Sequence, residues 1–213
     1  MPGSLSVFDT VMKKMIELAD PDTVLDIGPG GGKYGQMLRA IEAERGRWIR
    51  KMCVEVDKEH VIDRFNLAAV YDEIINEDAA RLIKGYPTLT GDLVIAGDVI
   101  EHLTKSEGAD LIEYLQYRFK HIFLVIPVNF ISYEYMDHTH ESHIAIWRTQ
   151  DMARFEGAYA VERRTHDGNR FVLACVNGIM LAPADHIVVR DAVLASDRPL
   201  FYEEWIEFGY LNR

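Results

Sequence analysis

The stretch Val24-Leu25-Asp26-Ile27-Gly28-Pro29-Gly30-Gly31-Gly32-Lys33-Tyr34-Gly35 decides how this chain is read. A short apolar run ends in a carboxylate, breaks into a glycine-rich turn and reopens as a helix through Gln36-Met37-Leu38-Arg39-Ala40-Ile41. Glycine lets the backbone take positive φ and lets a ligand lie against bare main chain. The helix start behind it offers unpaired N–H groups. A strand, a tight loop and a helix N-terminus in this order suit a small ligand with a carboxylate or phosphate.

Three glycine-loop ligands compete for that cradle, and spacing separates them. A P-loop needs a glycine, four residues, then Gly-Lys-Ser/Thr. Here Tyr34 follows Lys33, and Ile27 stands where the first glycine belongs. The dinucleotide pattern G-x-G-x-x-G is matched by Gly30, Gly32 and Gly35, but leaves Asp26 and Gly28 unexplained. A carboxylate beside a diphosphate is also repulsive in a semi-enclosed site. The frame Asp26-x-Gly28-x-Gly30-x-Gly32 accounts for the acid and the alternate glycines together. It resembles motif I of the class I S-adenosylmethionine (SAM) methyltransferases, whose cofactor carries positive charge on its amino group and its sulfonium.

The resemblance continues in order along the chain. Lys51-Met52-Cys53-Val54-Glu55-Val56-Asp57 is a second apolar strand ending in carboxylates, at the spacing where an acid commonly accepts from ribose hydroxyls. Alignment with the family's second strand puts Glu55 in the ribose role, beside Val56, with Asp57 in reserve. Ile74-Ile75-Asn76-Glu77-Asp78-Ala79-Ala80 is similar to the third-strand exit, which implies that Asp78 and the Ala79 amide meet the adenine. Asp92 to Leu103, with Asp98-Val99-Ile100-Glu101-His102, resembles the fourth strand and loop of the small-molecule (type 11/23-like) branch. His121 to Asn129 reads as a buried fifth strand closed by Pro127. Together these motifs cover about residues 20–178. They imply an α/β, Rossmann-like, seven-stranded, mostly parallel sheet with helices on both faces and a C-terminal antiparallel hairpin.

Composition agrees with a single domain over 1–213: an N-terminal helix about 5–19, the core, and an aromatic extension about 179–213. Apolar residues form 48% of the chain, which argues against disorder. No apolar run is long enough to span a bilayer, so no membrane insertion is expected. Met1-Pro2-Gly3-Ser4 lacks a charged-then-apolar leader pattern, and a cytoplasmic location is expected. Cys53 and Cys175 fall inside predicted strands and read as buried thiols, not as a disulfide.

A net charge of −11 argues against nonspecific nucleic-acid binding, so nucleic acid is not an expected partner. Arg39, Arg45, Arg47, Arg50 and Lys51 cluster after the glycine-loop helix, and read as a solvated face with cations near a helix C-terminus.

Leu5, Phe8, Val11, Met12, Met15, Ile16 and Ala19 keep helical spacing, ended by Pro21 and Asp22. Strand and helix then alternate to about residue 126. Ser106 reads as the N-cap of a helix running through Phe119. Residues 159–164 and 170–176 flank Asp167-Gly168-Asn169 as a hairpin, and Ile187-Val188-Val189 reads as a short strand. The tail with Phe201, Tyr202, Trp205, Ile206, Phe208 and Tyr210 suits packing on the chain's own core; a substrate lid or a homodimer contact are the other readings.

Chemistry beyond cofactor binding centres on two segments. Asp98 and His102 lie at a strand carboxyl end, where open α/β sheets bind ligands. Asp98 is expected near the transferred methyl group, and His102 suits a general base for a hydroxyl acceptor. Met136 to Trp147 carries His138, His140 and His143 with Asp137 and Glu141. In the small-RNA 2′-O-methyltransferases, similar acids and histidines hold a divalent ion; Asp98, Glu101, His102 and one of His138, His140 or His143 would mimic that set. A polar loop without metal is the expected state. Tyr34, Asn129, His102 and His143 are the residues expected to face a polar small-molecule acceptor, methylated on oxygen. A metal-assisted RNA 2′-O-methyltransferase, a catalytically silent SAM-fold partner subunit and a NAD-dependent oxidoreductase stay as alternatives.

Overall fold

Apolar runs bounded by glycine, proline and acidic residues become strands: β1 (Thr23–Ile27), β2 (Arg50–Val54), β3 (Glu73–Ile75), β4 (Gly91–Gly97), β5 (Phe119–Pro127), β6 (Ala158–Arg164), β7 (Arg170–Asn177) and β8 (Ile206–Phe208). The computed structural model describes residues 6–128, 142–165, 168–194 and 206–208. The strands form one sheet in the order β3-β2-β1-β4-β5-β7-β6-β8. β1 to β5 pair in parallel, whereas β7 runs antiparallel between β5 and β6. The seven expected strands are joined by an eighth, because β8 adds antiparallel to β6 at the edge.

Helices cover the sheet: α1 (Asp9–Ala19), α2 (Lys33–Arg45), α3 (Leu82–Gly85), α4 (Lys105–Gln116), α5 (Thr149–Met152) and α6 (Val189–Leu194). Alternation along the strands sends Val24, Leu93, Ile95, Phe123 and Val125 into one core with side chains of α1, α2 and α6. Their neighbours Leu25, Ile27, Val94, Ala96, Ile122 and Leu124 pack with α4 and Trp147. Burial on both faces explains the near-continuous apolar runs. Both cysteines are buried thiols, Cys53 in β2 and Cys175 in β7.

Several local expectations are corrected. The first helix begins at Asp9, after a 3-10 turn Ser6–Phe8, and closes on Asp20 in the left-handed conformation (φ 43°). The α4 N-cap is Thr104, not Ser106: Thr104 and Glu107 form a reciprocal capping box that satisfies two amides. That helix ends at Gln116, and Phe119 starts β5. Ile187-Val188-Val189 is no strand. Val189 opens α6, whose Val189, Ala192 and Val193 bury against the core containing α1. Between β2 and β3, and between β3 and β4, the chain makes short turns and the one-turn α3 instead of long helices. The basic cluster is largely neutralised: Arg45 and Arg47 pair with Asp20, Arg50 with Glu73, and Lys51 with Glu42.

Candidate active site

Parallel pairing puts the carboxyl ends of β3, β2, β1 and β4 on one edge, with Ile27 beside Val54 and Ala96 and with Val54 beside Ile75. Strand order reverses between β1 and β4, and ligands of open α/β sheets bind in the crevice such a reversal leaves. The motifs that follow β1, β2, β3 and β4 emerge on this edge.

In the glycine loop, Gly28, Gly30 and Gly32 take φ of 64°, 50° and 77°. These are the alternate glycines of the Asp26 frame, whereas Gly31 and Gly35 do not share that conformation. A side chain costs roughly 1–2 kcal/mol in the left-handed region, which explains the residue type. Gly28 donates its N–H to Val54 O at 2.9 Å, tying the loop to β2.

Beyond β2, the Glu55 side chain is mostly buried and accepts from the Asp57 amide at 2.9 Å. Asp57 caps the following turn Lys58–Asp63 by accepting from the His60 amide at 2.8 Å. Asn76 donates to the carbonyls of Glu55 and Val56 at 2.8 and 3.0 Å, joining the second and third loops. Val56 is half exposed. Asp78 accepts from the Ala80 amide at 2.9 Å and so caps the turn beginning at Ala79.

At the end of β4, Asp98 is a non-glycine residue with φ 55°, a strained conformation of the kind that clusters at functional sites. The 3-10 turn Ile100–His102 follows and is stitched to the segment 142–147. Ile144 and Ala145 donate to Glu101 O at 2.9 and 3.1 Å, and Trp147 Nε1 donates to Ile100 O at 3.1 Å. His102 Nδ1 lies 3.3 Å from Ser142 O, so a neutral ring donating there keeps the Nε2 lone pair. The rings of His102 and His143 meet edge to face at 5.0 Å.

Glu101 is fully buried, and its carboxylate oxygens have no side-chain hydrogen-bond partner among the described residues, only the nearby Val99 and Glu101 amides. Its Oε1 stands 3.9 Å from His102 Nε2 and 4.0 Å from His143 Nε2. Burial and then the like charge of Asp98 push its carboxyl well above the usual range, which nearby backbone amides only partly offset. One ligand atom from each of Glu101, His102 and His143 fits within 4.8 Å, a donor set that suits a divalent cation.

Asp26 is also fully buried. One oxygen accepts from the Tyr71 hydroxyl; the other has no hydrogen-bond partner among the described residues. Burial lifts its carboxyl to about 7 against the Tyr71 hydrogen bond; Glu55 adds to the rise and Lys33 opposes it. Tyr71 escaped the sequence reading, since no motif marks it.

The structure thus gathers Gly28, Gly30, Gly32, Glu55, Val56, Asp78, Ala79, Asp98 and His102 on one edge, with Asp26 beneath and His143 beside Glu101. Tyr34, expected at the acceptor, is buried in the core cluster that holds α1. Asn129, His138 and His140, and the hairpin residue Asp167, lie outside the described residues, as do the tail aromatics Phe201, Tyr202, Trp205 and Tyr210. Among the described residues, no helix is long and apolar enough to cross a membrane.

No protein-family model and no curated protein matches this chain. Solved structures match it in shape. The N-terminal domain of EvdMO1 with S-adenosylhomocysteine bound aligns at TM-score 0.57 and 10% identity, over 82% of this chain and 82% of that one. A S-adenosylmethionine-dependent methyltransferase from Clostridium acetobutylicum ATCC 824 aligns at 0.56 and 9%, over 81% and 91%. The methyltransferase domain of bacterial CtHen1-C aligns at 0.55 and 15%, over 81% and 96%. The chain has the Rossmann-like class I methyltransferase fold.

Proposed function

We propose that this chain is a SAM-dependent methyltransferase acting on oxygen of a polar small molecule. The observation that carries the reading is the row of adjacent strand ends. Alternate left-handed glycines follow β1, the Glu55 carboxylate follows β2, Asp78 follows β3 and strained Asp98 follows β4. Bare backbone supports close approach of a ligand, and the acids suit ribose hydroxyls, an adenine amine and a cationic sulfur centre.

The bound cofactor supplies an activated methyl group on a good leaving group. What this chain contributes is position and dryness, which account for a large part of barrier lowering when reactants are aligned. Glu55 accepts hydroxyl hydrogen bonds, Asp78 and the Ala79 amide orient the base, and Asp98 lies near the transferred methyl group. His102, tethered through Nδ1, keeps Nε2 as the base that removes a hydroxyl proton. The protein is cytoplasmic and single-domain on this reading, and the pairing of β8 with β6 supports an aromatic tail that packs on the chain's own core.

A second reading, metal-assisted 2′-O-methylation of RNA, is favoured by one observation: the buried Glu101 carboxylate, with no side-chain hydrogen bond among the described residues, beside two imidazoles. Glu101, His102 and His143 would hold the ion, which would polarise acceptor hydroxyls. The acidic net charge and the neutralised basic cluster weigh against RNA.

Calorimetry with S-adenosylhomocysteine and NAD side by side tests the cofactor assignment. Micromolar binding of the first with none of the second is expected. Tight NAD binding instead would move the chain to the oxidoreductases. Cofactor binding without turnover of any hydroxylated acceptor would mark a silent partner subunit.

A further inference from the structure

Tyr71 stands two residues ahead of β3, buried against Cys53, Leu67 and Val70. Its hydroxyl is used twice: it donates to the Asp26 carboxylate and accepts the Gly35 N–H at 3.2 Å. Asp26 closes the loop on the β1 side, and Gly35 sits in the first turn of α2. One phenol therefore clamps both ends of the glycine loop.

The clamp is built into the residue types around it. A Cβ at Gly35 would lie 2.6 Å from Tyr71 Cζ and 2.8 Å from its Oη, so only glycine lets the phenol reach that amide. Asp26 has no exposed surface, so it meets the loop from beneath and not across open solvent. Apolar surroundings strengthen both hydrogen bonds by excluding competing water. Burial also lifts the phenol's ionisation above its ordinary range, which keeps its proton available for donation to Asp26.

We infer that Tyr71 is a positioning residue for the cofactor, holding the glycine loop in its binding conformation through Asp26 and Gly35. The inference rests on the methyltransferase reading. It assigns the first-strand acid a different task from direct contact with the ligand: Asp26 anchors the clamp.

Tyr71→Phe removes the hydroxyl and keeps the packed ring. Calorimetry should show S-adenosylhomocysteine affinity lowered about tenfold, the scale of one charge-assisted hydrogen bond. Hydrogen exchange at the Gly35 amide should accelerate in the ligand-free variant while exchange in α1 is unchanged, a local signature that loss of core packing would not produce. Asp26→Asn in the Tyr71→Phe background should cost less than twofold more, because the phenol through which Asp26 acts is already gone. Affinity within twofold of wild type, unchanged Gly35 exchange, or losses that multiply in the double variant would each overturn the inference alone. A wild-type chain that does not bind S-adenosylhomocysteine would take down the methyltransferase reading and this inference with it.

Discussion

Gly28 and Val99 close the gap between the loops that follow β1 and β4: a Cβ on Gly28 would come within 2.7 Å of Val99 Cγ2. The two loops flanking the switch in strand order are thus in direct contact. Gly28→Ala meets that contact and a left-handed backbone at once. It should lower stability by about 1–3 kcal/mol and weaken S-adenosylhomocysteine binding. Denaturant melts paired with calorimetry check this; an unperturbed melt would mean that the loop after β4 yields freely.

Glu55 is the acid with the clearest route to a ribose, because Asp57 spends its carboxylate capping the next turn. Glu55→Ala should weaken S-adenosylhomocysteine binding by roughly 10- to 100-fold, the range of hydrogen bonds to a charged group. Melting should shift less than binding, since the contact of Glu55 to the Asp57 amide is local to one loop. Asp57→Ala should instead cost stability through its cap, by about 1 kcal/mol, with a smaller effect on binding.

Asp26 makes stability depend on pH in a direction opposite to most carboxylates. Its carboxyl is raised from the ordinary 3.8 to about 7. Between those values the folded chain holds a proton that the unfolded chain has released, so stability falls as pH rises, by up to about 4 kcal/mol at pH 7 and above. Below about pH 4 the contribution is fully present and constant. His121 adds the reverse slope below its ordinary range, because burial favours its neutral ring. The difference between wild type and Asp26→Asn isolates the term: chemical melts at pH 5 and pH 8 should show the variant gaining relative to wild type at the higher pH. Parallel curves would show that Asp26 is solvated in solution.

Glu101, His102 and His143 can be tested as a cation site without any acceptor in hand. On the metal-assisted reading, saturating manganese should raise the melting temperature of the wild-type chain by about 5 °C. Glu101→Ala and His143→Ala should abolish the rise. Melts that ignore manganese, magnesium and zinc alike would remove the second reading and leave His102 as a metal-free base.

Much of the fold could be read from local pattern, and the failures have local causes too. Thr104-x-x-Glu107 already carried the capping-box signature, yet Ser106 two residues later competes as an equally good cap type. The capping hydrogen bonds decide for Thr104. The β-branched run at Ile187-Val188-Val189 suggests a strand, but the core beside α1 buries Val189, Ala192 and Val193 on a helix face. Propensity yielded to packing there.

The chain's own residue order determined the glycine frame, the acids after each strand and the parallel sheet. Positive φ, apolar runs and strand-end carboxylates are requirements that neighbouring residues meet by themselves. Tertiary structure alone decided that Tyr71 reaches Asp26 across 45 residues, and that His143 comes within 4.0 Å of Glu101. Such contacts join loops separated along the chain by whole elements, and only the closing of the sheet fixes which side chains meet in the dry space between them.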